Sequence, residues 1–266
     1  MVLYNNISIK KMTSKEEKRI YLSPNIFFLN NSCYFEENEE KKIKINKKNW
    51  HKCLEEYGWE KLEMGWRKRL KSKERNSLYG VLDCGAEGDC LFLCIAEAFK
   101  NINMPEDDTY SAEELRKMTA LQVTEENFPI IIETYRLEKE TNEFDGFWNP
   151  YSVKEVDTLR NEIEKMGNSF WGDHIMIQLL EKALNINIIL LSCENDFFSE
   201  KNQYRIQSTG NHFNKERRTI VLSYCLNSHF QLIGHFDGNI MRKIFNFEQI
   251  PQELINVYKE DCNKIL

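Results

Sequence analysis

The 266-residue chain has no Cys-x-x-Cys pair, no long basic stripe and no apolar run long enough to cross a bilayer. Each absence excludes a class of function. The longest apolar run, Ile186 to Cys193, falls far short of the ~20 residues that a membrane-spanning helix needs. Met1 to Lys15 lacks the apolar centre of a secretory signal, so the expectation is a soluble protein that is not exported by a classical route. A net charge of −6 offers no general attraction for nucleic acid. The cysteines, at positions 33, 53, 84, 90, 94, 193, 225 and 262, are scattered rather than framed, which fits reduced thiols in a cytosol-like compartment. The Cys84, Cys90, Cys94 spacing has no matching Cys/His knuckle, which argues against structural zinc. No internal repeat is evident.

What is present suffices for a packed core. Hydrophobic residues make up 41% of the chain and aromatics 12%, which argues against disorder. The length allows one good-sized domain with an extension, or two small ones. Residues 1–75 differ in character from the rest. Glu36-Glu37-Asn38-Glu39-Glu40-Lys41-Lys42, with Lys47-Lys48 beyond, has few apolar anchors and reads as a solvated loop or hairpin. Trp59, Leu62, Trp66 and Leu70 then recur at helical spacing, predicting an amphipathic helix flanked by Arg67, Lys68, Arg69 and Lys71. Such a helix either packs its tryptophan face on the core or docks a partner, and the sequence leaves both open.

From about residue 76, a helix-rich half precedes a strand-rich one. Leu78 to Asp83 predicts a short strand, Gly85 and Gly88 bracket a turn, and Cys90 to Lys100 predicts a helix. Ser111-Ala112-Glu113-Glu114 has the pattern of a capping box and opens a helix running to Ala120. Helical spacing follows over Glu125 to Glu138 and Val153 to Lys165, separated by an aromatic-rich loop from Asn142 to Tyr151. Asp173 is placed to cap a helix from Ile175 to Leu184. Strands are predicted at Ile186–Leu191, Tyr204–Gln207, Thr219–Tyr224 and His229–Phe236, and Pro251 suits the first residue of a terminal helix. The pattern is α/β (α+β), with helices flanking a small twisted central sheet. It divides into an N-terminal extension over 1–75, a central domain over 76–240 and a C-terminal helix over 241–266.

Chemistry concentrates at Glu87-Gly88-Asp89-Cys90-Leu91-Phe92. Leu91, Cys94, Ile95, Ala98 and Phe99 trace one buried helix face, so Cys90 opens an amphipathic helix. A cysteine in the first turn feels the positive end of the backbone dipole, which favours a thiolate. The amides of Gly88, Asp89 and Cys90 have no helical acceptor and can face an oxyanion. The plain alternative is a buried structural cysteine, the usual situation of a free thiol; Cys94, on the buried face, reads that way. Far downstream, His229 opens a strand after the Leu226-Asn227-Ser228 turn and shares a strand face with Gln231. A cysteine before a helix with a distant histidine at a strand start is the arrangement of cysteine-nucleophile hydrolases. His235 lies roughly 20 Å further along at ~3.3 Å per residue, so the two histidines cannot serve one thiol. His174 and His212 read as structural or exposed.

These segments resemble one family. Glu87 to Phe92 resembles the nucleophile box of the ovarian-tumour (OTU) cysteine proteases, usually Asp-Gly-x-Cys-Leu-Phe. Trp171-Gly172-Asp173-His174 resembles the family's Trp-Gly-x-x box, and Ser228-His229-Phe230 its terminal His-aromatic box. The three stand in the family's order between about Leu78 and Phe236, and the stretch from Glu126 to Asp145 is most similar to OTU-like proteins of large DNA viruses. The resemblance implies a papain-like OTU fold and a deubiquitinating cysteine protease, a ubiquitin thioesterase or isopeptidase. It would act on ubiquitin or a ubiquitin-like modifier, as a monomer in the cytoplasm (the host's, for a viral protein), with no metal or organic cofactor, no nucleic acid and no membrane. Cys90 would be the nucleophile, His229 the general base, and the Gly88, Asp89 and Cys90 amides the oxyanion hole.

The third member departs from the pattern. The family orients its histidine with an Asp or Asn two residues after it or three before the cysteine, and those positions hold Gln231 and Glu87. Gln231 shares the strand face with His229, so its amide oxygen is a candidate to accept the imidazole N–H. Glu87 keeps the charge with a longer reach, and Asp237 lies beyond the strand end. A drifted third residue also admits a second outcome, a catalytically weakened OTU-fold module that binds ubiquitin. Trp171 reads as a packing anchor under the helix that starts at Asp173.

Overall fold

A computed structural model describes residues 19–21, 25–30, 32–38, 41–70, 77–100, 109–144, 146–196, 201–225 and 229–262. Met1 to Lys15, Glu39-Glu40 and the Leu226-Asn227-Ser228 turn lie outside the described residues. The chain divides into two units, residues 1–45 and residues 46–266. In the first, β1 (Ile20–Tyr21), β2 (Ile26–Leu29), β3 (Ser32–Asn38) and β4 (Lys41–Lys44) pair antiparallel in sequence order. Glu36 sits opposite Lys42, so the charge run forms a hairpin in which unlike charges face each other across the strands.

The larger unit begins with a short helix, α1 (Trp50–Cys53), then β5 (Trp59–Lys61), α2 (Met64–Arg69) and β6 (Tyr79–Leu82). Five helices follow: α3 (Cys90–Phe99), α4 (Ala112–Ala120), α5 (Phe128–Glu140), α6 (Val156–Glu164) and α7 (His174–Leu184). The strands β7 (Ile186–Asp196), β8 (Lys201–Gln207), β9 (Arg218–Cys225) and β10 (His229–Phe236) come next. Short β11 (Met241–Arg242) and β12 (Ile244–Phe245) precede the terminal α8 (Gln252–Cys262).

The sheet order is β5-β6-β10-β9-β7-β8, with β11 on β10 and β12 on β9. Only the β7–β9 pair in this unit is parallel among the described residues. That pair is the interior of the sheet, and Ile188 to Leu191 and Ile220 to Leu222 are buried without alternation, as expected of strands covered on both faces. Ile189, Leu191, Val221 and Ile233 join Leu62, Trp66 and Leu70 and the α8 residues Leu254 and Tyr258 in one core. Alternate residues such as Leu222 and Leu232 turn to the other face, where α3 packs on β10 and β9. The helices thus flank a mixed sheet, as the sequence pattern predicts.

The predicted caps form. Ser111 Oγ accepts the Glu114 N–H at 3.1 Å while Ser111 N–H donates to Glu114 Oε2 at 2.7 Å. Asp173 Oδ1 accepts the Met176 N–H at 2.9 Å. The helix expected through Trp59 and Leu70 does not form as one element. Gly58, at φ 82°, ends a 3₁₀ turn over Glu55–Tyr57, and the chain leaves it extended, pairing Trp59 with Leu82 and Lys61 with Gly80. All four apolar residues are buried, but on a strand, a link and a short helix, so their spacing reflected burial rather than one helical face. Residues 46–70 fall in the larger unit.

Candidate active site

The site forms where β6 ends and β10 begins, beside the first turn of α3. In the antiparallel β6–β10 pair Leu82 lies opposite Leu232, which brings the next residue, Asp83, beside the start of β10. There His229 Nε2 stands 3.2 Å from Asp83 Oδ1, an ion-pair distance. The chain then turns through Gly85, Glu87 and Gly88, at φ 126°, 64° and 87°, and enters α3 at Cys90. Gly88 has no room for a side chain, because a Cβ there would lie 2.2 Å from the Gly167 carbonyl oxygen. A Cβ on Gly172 would lie 2.6 Å from Leu91 Cδ2, so the Trp-Gly box docks on the first turn of α3. Glu87, Gly88, Cys90, Trp171, Gly172 and His229 help to wall one cavity of about 170 Å³.

The electrostatics differ from the sequence expectation of a helix-stabilised thiolate. Burial pushes the Cys90 thiol up from its ordinary value. Backbone N–H groups of Phe230, Leu91 and Cys90 oppose that rise, and the nearby negative charge of Asp83 adds to it. Burial wins, and the thiol lies above its ordinary value. Cys94 is fully buried and donates its S–H to the Phe230 carbonyl at 3.5 Å, as a core residue does.

Cys90 and His229 line the same cavity. Of the candidate orienting residues, Glu87 lines the cavity but is exposed on its left-handed turn. Gln231 sits opposite Ser223 in the β9–β10 ladder and is not part of the cavity wall. Asp237, past the far end of β10, is engaged by Arg242 at 2.6 Å and by the Asn239 and Ile240 amides. His235 is packed edge-on against Tyr79, ring centroids 4.9 Å apart, away from the thiol. Among the described residues, Asp83 places a carboxylate 3.2 Å from His229, a juxtaposition that follows from strand register and not from distance to Cys90 along the chain. Its only sequence signal is an acid at the end of a predicted strand just before the glycine turn that leads to Cys90. Asp89 starts α3 yet caps nothing with its side chain. Its carboxylate is drawn instead to Arg116, at 2.6 Å, and to the Gly167 amide, at 2.8 Å. Trp171 walls the cavity and meets Phe147 edge-on at 5.8 Å.

A family model described as OTU-like cysteine protease matches residues 85–236, more than half of the chain. The chain belongs to this family. The matched span opens at the glycine turn before Cys90 and closes at the last residue of β10, leaving Asp83 just upstream. Similar solved structures are OTU domains as well. The OTUD1 OTU domain is 15% identical with a TM-score of 0.39, covering 63% of this chain and 91% of its own. An OTU deubiquitinase from Wolbachia pipientis wMel, bound to ubiquitin, is 14% identical with a TM-score of 0.41, covering 61% and 99%. The viral OTU domain protease from Dera Ghazi Khan virus is 17% identical with a TM-score of 0.35, covering 61% and 86%. No curated protein matches the sequence.

Proposed function

We propose that this OTU-family protein is a deubiquitinating cysteine protease that hydrolyses the bond between the C-terminal glycine of ubiquitin, or a ubiquitin-like modifier, and a lysine amine. With Nε2 of His229 facing Asp83, Nδ1 takes the Cys90 proton as the sulfur attacks the glycine carbonyl. The amides of the Gly88–Cys90 turn receive the oxyanion. The imidazolium then protonates the departing amine and an acyl thioester remains. His229 next deprotonates a water that attacks the thioester, releasing a carboxylate and restoring the thiol. Asp83 stands beside the imidazole and helps to orient it during both steps. Proton transfer accompanies attack, in keeping with a thiol that burial pushes up from its ordinary value.

One observation carries the assignment. A cysteine at a helix start and a histidine paired to a carboxylate share one cavity in a chain of the OTU-like cysteine protease family. The test is reaction with ubiquitin carrying a C-terminal electrophile. A single covalent adduct at Cys90, absent in Cys90→Ala, is expected. No adduct, with ubiquitin still bound in a titration, would replace the protease with the catalytically weakened binding module.

A further inference from the structure

Arg116, on α4, is fully buried, a position in which a charged side chain persists only when its charge and its N–H groups are matched. They are. Nε donates to Asp89 Oδ1 at 2.7 Å and Nη1 to the Ile163 carbonyl at 2.9 Å. Nη2 donates to the Phe170 carbonyl at 2.9 Å and the Gly88 carbonyl at 3.1 Å. The guanidinium also lies over the Phe92 ring, with Cζ 4.4 Å from its centroid. One side chain thus ties the nucleophile turn and the first turn of α3 to the last turn of α6 and to the residue before Trp171.

Two consequences follow for the amides that face the substrate. The Gly88–Asp89 peptide is trans, so its C=O and N–H point in opposite directions. Drawing the Gly88 carbonyl inward to Arg116 therefore turns the Asp89 N–H away from Arg116, between Gly88 and Cys90, which both wall the cavity. Asp89 also stands at the N-cap, where a carboxylate ordinarily folds back onto the first free amides of its helix. Here it makes no such bond, because Arg116 and Gly167 hold it elsewhere, so neither its bulk nor its charge occupies the oxyanion position.

We propose that Arg116 is the positioning residue of the oxyanion hole: by holding the Gly88 carbonyl and the Asp89 carboxylate inward, it presents the Asp89 and Cys90 amides to the developing oxyanion. This rests on Cys90 being the nucleophile, as proposed above, and not on the identity of the substrate.

Two small electrophiles separate this role from simple support of the fold. With iodoacetamide the sulfur displaces iodide at a saturated carbon, and no oxyanion forms. With p-nitrophenyl acetate the sulfur adds to the carbonyl, passes through a tetrahedral oxyanion and expels p-nitrophenolate, leaving an acetyl thioester. Both rates are measured at Cys90 by mass spectrometry, at one pH, for the full chain and for Arg116→Lys. Removing an oxyanion donor costs ~10²–10³ in rate, so a misaligned one should lower the ratio of acylation to alkylation at least about tenfold, with alkylation within about twofold of the parent. An unchanged ratio, or both rates falling together, would overturn the proposal. Should Arg116→Lys not fold, Asp89→Asn loosens the same fork while leaving the Gly88 contact, and the ratio should fall about threefold; no fall overturns the proposal as well. A parent protein that ignores the ubiquitin probe, yet shows the ratio falling in Arg116→Lys, would sink the deubiquitinase reading and leave this one standing.

Discussion

Replacing Asp83 by asparagine removes the carboxylate beside His229 while keeping its shape. The pair stands 3.2 Å apart, with 59% of the Asp83 side chain and 23% of the His229 side chain exposed. At that distance unit charges attract by ~1.3 kcal/mol at the dielectric of water and ~2.6 kcal/mol at about half that value. Exposure keeps the effective dielectric high, and exposed pairs return less than Coulomb's law suggests, so the lower figure is the better guide. A loss of ~1.3 kcal/mol in the steps that need an imidazolium corresponds to about tenfold in rate. Asp83→Asn is therefore expected to lower kcat/KM on a ubiquitin C-terminal fluorogenic substrate by about tenfold, with the unfolding temperature essentially unchanged. Raising the ionic strength to ~1 M, where the Debye length is ~3 Å, should bring parent and variant rates closer together. Gln231→Ala and Glu87→Ala should each cost less than Asp83→Asn. Full activity in Asp83→Asn together with a large loss in Gln231→Ala would return the orienting role to the strand-face amide and refute the register argument.

Cys90→Ala should abolish hydrolysis and leave the circular dichroism spectrum intact; residual turnover, or probe labelling at Cys94, would contradict it. His229→Ala should slow the reaction by at least about two orders of magnitude, the range for losing a general base, while His235→Ala changes little; the reverse ordering would overturn the reading of β10. Because burial pushes the Cys90 thiol up, its alkylation by iodoacetamide should keep climbing at pH values where free cysteine in the same buffer has levelled off, and a plateau at or below that of free cysteine would refute the burial argument. Gly88→Ala combines a left-handed φ of 87° with a Cβ 2.2 Å from the Gly167 oxygen. The backbone strain alone, ~1–2 kcal/mol, should lower Tm by at least about 3 °C, and activity should fall with it; an unchanged Tm would show that the turn has slack.

Local chemistry determined much of this protein. The capping box at Ser111, the Asp173 cap and the bounds of β10 were legible because each depends on residues within a turn or a strand of one another. The helix opening at Cys90 was legible from one apolar period, and the three family boxes pointed to the family through resemblance. Tertiary structure decided what periodicity cannot carry. Trp59 went to a strand because Gly58 reversed the chain and β6 offered an edge, although its spacing to Leu62, Trp66 and Leu70 was helical. Burial pushes the Cys90 thiol up, opposite to the effect that its position at a helix start suggests. Arg116 carries no signal of its own in the sequence; it lies on the buried face of α4 with Ala112, Leu115 and Thr119. Asp83 reaches His229 across an antiparallel pair whose register is set by the hydrophobic alternation of both strands at once, and a partner chosen by register has no fixed distance along the chain from the residue it serves.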